Sequence, residues 1–276
     1  MKENDQRFSE EEALRLRSKS TDSIPRVGIV QVRMSSERLP GKPLLTDGKG
    51  VSLLSHVLTR VAQSTALNTR VVATSTNPVD DRLLSEVPKG FLVRRGPEHD
   101  VLQRFLGTCA EFAEALVVRV CADNPFIDPD FIDELVKAHL QDWETVDYYS
   151  YMLNDGTPAI LTGIGLFAES VKLSALRRAR QEALSAEDKE HVTRWLYTHP
   201  ETFSCRFLPV PRFAENAGMR LTVDTPEDME CFRAIVTELE ARDLKCPTAQ
   251  DLVSIVRERR GLLETMAEEN RHQRKV

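Results

Sequence analysis

The segment GIVQVRMSSERLPGKPLL, residues 28–45, begins as an apolar strand and continues as a basic loop. Such a loop, at the carboxyl end of a first parallel strand, is where open α/β sheets commonly bind nucleotides. Its hydroxyls, backbone N–H groups and cations can all donate hydrogen bonds to phosphate oxygens. We therefore predict a polyphosphate site, and a solvated surface turn pinned by Leu39 and Pro40 stays open as the alternative. The residues assigned to nucleotide binding here are Val32, Arg33, Ser35, Ser36, Arg38, Gly41 and Lys42.

The loop matches neither of two common phosphate-binding motifs. G-x-x-x-x-G-K-[ST] and G-x-G-x-x-G are both absent from the sequence. The phosphate interpretation therefore depends on the position of the loop after a strand and on its cations.

Composition excludes several classes of protein. A net charge of -6 argues against a chain that coats nucleic acid, because such binding depends on neutralising phosphates with Lys and Arg. No apolar run approaches the roughly 18 residues of a membrane span, so we expect no membrane partner. The five cysteines have no C-x-x-C spacing, which favours reduced thiols and a cytoplasmic location. The charged residues 1–24 predict a mobile N-terminal extension.

After Pro25, apolar β-branched runs alternate with segments of helical period, which predicts an α/β fold with a mostly parallel sheet flanked by helices. The first half is regular. Its expected strands are 26–32, 69–75, 90–95 and 116–123, and its expected helices are 52–63, a short helix after Pro78, 99–115 and 127–140, the last with Asp128 as N-cap.

The second half is less regular. We expect strands at 146–152, 160–167, 203–210 and 219–224, followed by helices at 226–242 and 249–269. Thr225 is expected to cap the first of these two helices, with Pro226 at its first position and Asp228 three residues after the cap.

Two aspartates are candidate metal ligands. Asp123 and Asp224 each follow an apolar segment directly, and magnesium prefers one or two carboxylates together with phosphate oxygens and water. If the two segments are neighbours in the sheet, both carboxylates reach the edge that carries the basic loop. Helix capping is the structural alternative, although Asp128 and Thr225 are better placed as caps. We predict that Asp123 and Asp224 hold Mg²⁺.

Two further residues are ambiguous. Asp100 can cap the helix that follows it or bind a ribose or base, and we include it among the nucleotide-binding residues. His191, in DKEHVTRW, can act as a base or a ligand, but a lone helical histidine is more often packed or solvated.

The chain resembles the cytidylyltransferases of the spore-coat polysaccharide biosynthesis protein F type, relatives of the CMP-sialate and CMP-KDO synthetases. The resemblance runs from about Val27 to Arg242. Six motifs occur in the order usual for that family: VQVRMSSERLPGKPL, VVATS, RRGPEHDVLQRF, VVRVCADNPFIDP, DKEHVTRWLY and LTVDTPEDME.

The resemblance implies a Rossmann-like nucleotidyltransferase domain over residues 25–245, with a C-terminal helix and basic tail at 246–276. It implies transfer of CMP from CTP to a sugar or sugar-acid acceptor, with Mg²⁺ as cofactor and a homodimer as the assembly. Arg33, Arg38 and Lys42 match the catalytic cations of the triphosphate loop. Asp123 and Asp224 match the positions that hold magnesium in related synthetases.

Departures from the family pattern fall in two places. Ser35 and Glu37 replace a glycine and a hydroxyl residue in the loop, and Gly165 and Phe167 stand where acidic residues are usual. The second segment is associated with acceptor binding or subunit contact, so the resemblance does not identify the acceptor. The alternatives are a nucleotide-binding or scaffolding relative without turnover, or a glycosyltransferase that uses a nucleotide sugar.

Overall fold

The computed structural model describes residues 21–36, 38–182, 185–215 and 218–272. Within these residues the strands are β1 (Arg26–Gln31), β2 (Thr69–Ser75), β3 (Leu92–Gly96), β4 (Leu116–Cys121), β5 (Tyr148–Met152), β6 (Glu169–Lys172) and β7 (Cys205–Pro209). They form one sheet in the order β3-β2-β1-β4-β6-β5-β7. Strands β1 to β4 pair in parallel, whereas β6 is antiparallel to both of its neighbours. The predicted α/β fold with a mixed, mostly parallel sheet is confirmed.

Helices cover both faces of the sheet. They are α1 (Leu53–Gln63), α2 (Val101–Thr108), α3 (Pro129–Gln141), α4 (Leu173–Glu182), α5 (Ala186–Glu190), α6 (Arg194–Thr198), α7 (Pro226–Ala241), α8 (Ala249–Glu258) and α9 (Arg260–His272), and short 3₁₀ helices span Lys42–Leu44, Pro78–Glu86 and Ala159–Leu161. Asp128 caps α3 and Thr225 caps α7, the latter in a capping box with Asp228, as predicted.

Alternation along the strands builds two cores. Val30 faces a core shared with α1, α3, α7 and α8, whereas Ile29 faces a second core shared with α2, α4 and α6. Because successive side chains of a strand point to opposite faces, a buried strand needs apolar residues at both positions. The apolar run in β1 meets that requirement.

Two expected strands are not strands. Residues 160–167 form a 3₁₀ turn and an irregular segment, because Gly165 has φ +67 and its missing Cβ would lie 2.9 Å from the Leu221 carbonyl carbon. Residues 219–224 are also outside the sheet: the N–H groups of Leu221 and Thr222 donate to the carbonyl oxygen of Gly163, at 2.7 and 3.1 Å. Their apolar patterns reflect burial rather than strand pairing.

Helix boundaries also differ from the prediction. Helix α2 is shorter than residues 99–115, and residues 249–269 form two helices rather than one. Arg259 leaves the helical conformation, which lets α9 turn back and bury Met266. The expected extension at 1–24 lies almost entirely outside the described residues, as does the end of the basic tail.

The described residues contain no helix long and apolar enough to span a membrane. All five cysteines lie among these residues, and the structure pairs none of them in a disulfide; two are buried and Cys246 is exposed.

A buried histidine connects α3 to the sheet. The His139 ring donates from Nε2 to the Val146 carbonyl oxygen at 3.2 Å and accepts the Ser170 hydroxyl at Nδ1, at 2.8 Å. Burial lowers the pKa of His139 to about 4, although the hydrogen bond to Val146 acts in the opposite direction. The folded protein therefore keeps this ring neutral at pH values where the unfolded chain protonates it.

Because the folded pKa is depressed, this contribution to stability is present above pH 6.5 and is lost as the pH falls towards 4. We expect wild type to lose up to about 3 kcal/mol of unfolding free energy over this range through His139 alone. Replacing His139 by glutamine removes that loss. In urea unfolding, the difference in unfolding free energy between wild type and His139→Gln should therefore be smaller at pH 4.5 than at pH 7. The exposed His272→Gln is the control, with an expected constant gap. A constant gap for His139→Gln as well would contradict this account.

Candidate active site

The first half of the basic loop is anchored to the end of β2 by a buried aspartate. The backbone N–H of Val32 donates to the Ala73 carbonyl oxygen at 3.1 Å, and that of Met34 donates to Asp80 Oδ1 at 2.7 Å. Asp80 is 1% exposed and its other oxygen accepts the Thr74 hydroxyl at 3.0 Å. The loop therefore leaves the sheet in a fixed direction.

Arg33 contacts α5 and the segment between β3 and α2, and Ser35 contacts the latter segment. Arg33 forms an ion pair with Glu190 at 2.7 Å and also donates to the Glu98 carbonyl oxygen at 3.3 Å. The Ser35 hydroxyl donates to the Glu98 carboxylate at 2.8 Å. Hydrogen bonds from Asn77 and Ser35 lower the pKa of Glu98. An incoming phosphate would have to compete with Glu190 for Arg33.

A tight turn at residues 39–42 directs the chain back towards the sheet. The Ser36 hydroxyl accepts the Leu39 N–H at 3.3 Å, and the Lys42 N–H donates to the Leu39 carbonyl oxygen at 3.1 Å. Gly41 has φ +71, in the left-handed region, and precedes the 3₁₀ helix that begins at Lys42. The positive φ favours glycine at this position. Lack of space is not the reason, because an added Cβ would have its nearest neighbour at 3.9 Å, an ordinary contact distance.

Lys42 lies between the two predicted metal ligands. Its ammonium nitrogen is 3.1 Å from Asp224 Oδ1 and 3.7 Å from Asp123 Oδ2. Burial alone would lower the pKa of Lys42, but the charges of Asp123 and Asp224 and the hydrogen bond to Asp224 outweigh it and raise the pKa. The lysine is therefore held protonated at the point where the two carboxylates converge.

Asp224 has further cationic neighbours. Arg38, on the loop, approaches its Oδ1 at 3.0 Å, and the buried Arg220 approaches its Oδ2 at 3.0 Å. Arg220 also pairs with Asp228, at 2.7 Å from its Nε. Burial tends to lower the pKa of Arg220, but the hydrogen bond to Asp228 and the nearby carboxylates raise it. One aspartate thus joins the basic loop to the start of α7.

The geometry fits a magnesium site of two carboxylates. The Val223 N–H donates to the Asp123 carbonyl oxygen at 2.8 Å, which places the segment that carries Asp224 beside the end of β4. A lysine ammonium already occupies the space between the carboxylates, so that space accommodates a cation. Among the described residues no group of three His, Cys, Asp or Glu side chains has metal-binding geometry. Two carboxylates suffice where phosphates and water complete the shell.

A cavity of about 370 Å³ opens next to the carboxylates of Asp123 and Asp224. Arg38 and Asp123 are among the residues that line it. Asn124 and Thr222 also line it; Asn124 Oδ1 and Thr222 Oγ1 are buried and have no hydrogen-bond partner in the described part of the chain. Unpartnered buried polar atoms are rare in proteins and are commonly satisfied by a ligand or by water. Both residues line the cavity, so a ligand or water bound there can hydrogen-bond to these two atoms.

Gly165 and Phe167 contribute to the same cavity. Phe167 stacks on Phe131 with ring centroids 4.8 Å apart and lies 4.5 Å from the Tyr151 ring. A carboxylate would be unpaired in that aromatic cluster, and any side chain at Gly165 would meet the Leu221 backbone. The departures from the family pattern are thus consistent with the packing around them.

Asp100 is the remaining residue that the sequence assigned to nucleotide binding. The Asp100 carboxylate caps α2 by accepting the Gln103 N–H at 2.9 Å, and it forms an ion pair with Arg180 at 3.1 Å. Both carboxylate oxygens thus have protein partners, and its binding of a ribose or base stays a prediction. Glu37 lies outside the described residues.

Three charged residues beneath the site were not predicted: Asp80, Arg220 and Arg119. Arg119 is buried, pairs with Glu169 and donates to Gln31 at 3.0 Å. The available signal was the occurrence of arginine inside an apolar run, in LVVRVC and MRLTVD. A cation within such a run needs a buried partner, because an unpaired buried charge is costly.

Comparison with known proteins gives a consistent result. The cytidylyltransferase family model matches residues 27–256. The spore coat polysaccharide biosynthesis protein SpsF of Bacillus subtilis (strain 168) is 35% identical over 213 residues, which cover 75% of this chain and 84% of that protein.

Solved structures show the same fold. A cytidylyltransferase from Leptospira borgpetersenii serovar Hardjo-bovis (strain JB197) superposes with a TM-score of 0.76 at 26% identity, over 87% of this chain and 97% of that one. A CMP:2-keto-3-deoxy-manno-octonic acid synthetase complexed with CTP superposes with a TM-score of 0.59 at 18% identity, over 78% of this chain and 99% of that one.

Proposed function

This chain belongs to the cytidylyltransferase family, and on that premise we propose that it transfers CMP from CTP to a hydroxyl of a sugar or sugar-acid acceptor, with release of pyrophosphate. The observation that carries the proposal is the convergence of Lys42, Asp123 and Asp224 beside the basic loop and the cavity. Cations, paired carboxylates and an adjoining polar cavity are the parts that nucleotidyl transfer requires.

The loop is proposed to bind the triphosphate. Backbone N–H groups and the hydroxyls of Ser35 and Ser36 donate to phosphate oxygens, and Arg33 and Arg38 exchange their present carboxylate partners for phosphates. Lys42, held protonated by its neighbours, stabilises the charge that develops on the leaving pyrophosphate.

Asp123 and Asp224 are proposed to hold Mg²⁺. When bound there, the ion neutralises negative charge on the phosphates. The acceptor hydroxyl oxygen attacks the α-phosphorus in line and its proton passes to water, while the bond from that phosphorus to the pyrophosphate oxygen breaks and pyrophosphate leaves.

The acceptor is proposed to bind in the cavity of about 370 Å³. Asn124 Oδ1 can accept a hydrogen bond from an acceptor hydroxyl, and the Thr222 hydroxyl can donate or accept one. Asn124 directly follows Asp123 and Thr222 lies two residues before Asp224, so a hydroxyl bound by them lies close to the reacting phosphate. A polyhydroxylated acceptor therefore suits the cavity.

The wider setting follows from the family. The relative in Bacillus subtilis is a spore coat polysaccharide biosynthesis protein, and we propose surface polysaccharide synthesis for this chain. Five cysteines without a disulfide among the described residues support a cytoplasmic location. A homodimer is proposed from the family resemblance, and light scattering of the purified protein tests it.

Nucleotide binding gives the first test of the proposal. We expect isothermal calorimetry to show tighter binding of CTP than of ATP or GTP, and weak CTP binding without a divalent metal, because the triphosphate charge needs both the loop and a cation. Equal affinity for the nucleotides, with and without Mg²⁺, would contradict a cytidylyltransferase.

A further inference from the structure

The C-terminal helix α9 contacts the segment that carries Asp224. Glu269 Oε2 accepts the Thr225 hydroxyl at 3.1 Å, and Asn270 donates to the Met219 carbonyl oxygen at 3.4 Å. Met219 and Thr225 are on either side of Asp224. The match to the family model ends at residue 256, so α9 lies beyond it. A contribution of α9 to the site is therefore not implied by the family.

Helix α9 is fixed by apolar contacts. Met266 is 1% exposed within the larger core, and Leu262 and Leu263 pack against the same core. Burial of these apolar side chains stabilises the packing of α9 on the core. Glu269 and Asn270 follow one turn after Met266 and are presented to the segment 219–225.

Arg220 competes with any metal for Asp224. Its guanidinium donates to Asp224 Oδ2 at 3.0 Å and to Asp228 at 2.7 and 3.0 Å. The negative charge of Glu269 also acts on Arg220. The negative charge of Glu269 offsets part of the positive charge of Arg220. Arg220 therefore neutralises less of the negative charge of Asp224, which stays available to another cation.

We propose that Glu269 is a positioning residue for the metal site. It holds Thr225 and offsets the charge of Arg220, so that Asp224 keeps the place and the charge that metal binding needs. The inference rests on the proposed function, in which Asp224 holds the metal. Groups around metal ligands commonly change metal affinity when they are replaced.

The test is Glu269→Gln, which keeps the shape and an acceptor for Thr225 but removes the charge. Calorimetry measures CTP binding with and without saturating Mn²⁺ in the full-length protein, and the ratio of the two dissociation constants is the metal-dependent gain. We expect Glu269→Gln to reduce this gain by roughly 10-fold, at the low end of the range for groups around metal ligands, and to leave metal-free CTP binding unchanged.

Glu268→Gln is the matched control. Its side chain is 66% exposed and its nearest cation, Arg271, is 3.9 Å away. We expect this variant to keep the full gain, and both variants to melt within about 4 °C of wild type, as for the weakening of one part-buried hydrogen bond or one exposed ion pair.

The outcomes separate the two proposals. If wild type shows no metal-dependent gain, the proposed metal site itself is wrong. If wild type shows the gain and Glu269→Gln keeps it, the positioning role of Glu269 is overturned. A Glu269→Gln variant that loses CTP affinity equally with and without metal would also overturn it, because the effect would then not act through the metal.

Discussion

Replacing Lys42 by alanine is expected to lower kcat by roughly 10²- to 10³-fold, as for the loss of one donor that acts on the transition state. Lys42 is the cation between Asp123 and Asp224, and its side chain is 14% exposed. The fold should survive, because Arg38 and Arg220 continue to pair with Asp224. The measurement is steady-state kinetics of pyrophosphate release, with melting temperature as the check on folding.

Lys49→Ala is the control for this prediction. Lys49 lies on the surface with its side chain 68% exposed and pairs with Glu240. Exposed ion pairs contribute at most about 1 kcal/mol to stability, so the fold should be unaffected. Lys49 has no part in the proposed mechanism, so kcat should be unchanged. A Lys42→Ala enzyme with near-normal kcat would remove this lysine from the mechanism.

Replacing Asp224 by asparagine is expected to lower kcat by about 10²-fold or more and to raise the Mg²⁺ concentration needed for half-maximal activity. The substitution keeps the shape of the side chain and removes its charge. Asp228 still pairs with Arg220, so the start of α7 stays in place. Asp123→Asn should act in the same direction, measured by titrating Mg²⁺ at saturating CTP.

Asp128→Asn is the matched control, five residues from Asp123 in the same motif. Asp128 caps α3 by accepting the Asp130 N–H at 2.9 Å, and asparagine caps about as well as aspartate. Its turnover should remain near that of wild type. If Asp123→Asn and Asp224→Asn behaved like Asp128→Asn at low Mg²⁺, neither aspartate would be a ligand.

The regular half of the fold was predictable from local signals. Apolar β-branched runs at Val27 to Val30 and Val71 to Ala73 alternate between the two cores, and caps such as Asp128 mark the helix starts. These patterns depend on neighbours in sequence, which is why they can be read without a structure. The basic loop was likewise recognisable from its own sequence.

The second half depended on contacts between distant segments. The structure brings Asp123 and Asp224 together, but not through neighbouring strands as expected. The segment that carries Asp224 is held by the carbonyl oxygens of Gly163 and Asp123 instead. Long-range packing of two irregular segments leaves an apolar pattern that resembles a strand, so the sequence could not distinguish the two.

Buried charge was the other limit. Arg220 is 3% exposed and Arg119 is 7% exposed. Arg119 pairs with Glu169 on another strand, and Arg220 pairs with Asp228 in the following helix. Hydropathy treats such residues as surface positions, because charged side chains are rarely buried without a partner. Their partners become visible only when the sheet and α7 are assembled.

Transfer of CMP can be followed directly through the α-phosphate of CTP. The purified protein is incubated with Mg²⁺, CTP labelled at the α-phosphorus and a panel of sugars and sugar acids, and products are identified by mass spectrometry. We expect the label to appear in a CMP-linked sugar, with one pyrophosphate released for each product. Label that stays in CTP with every acceptor, or transfer from ATP or GTP in preference to CTP, would contradict it.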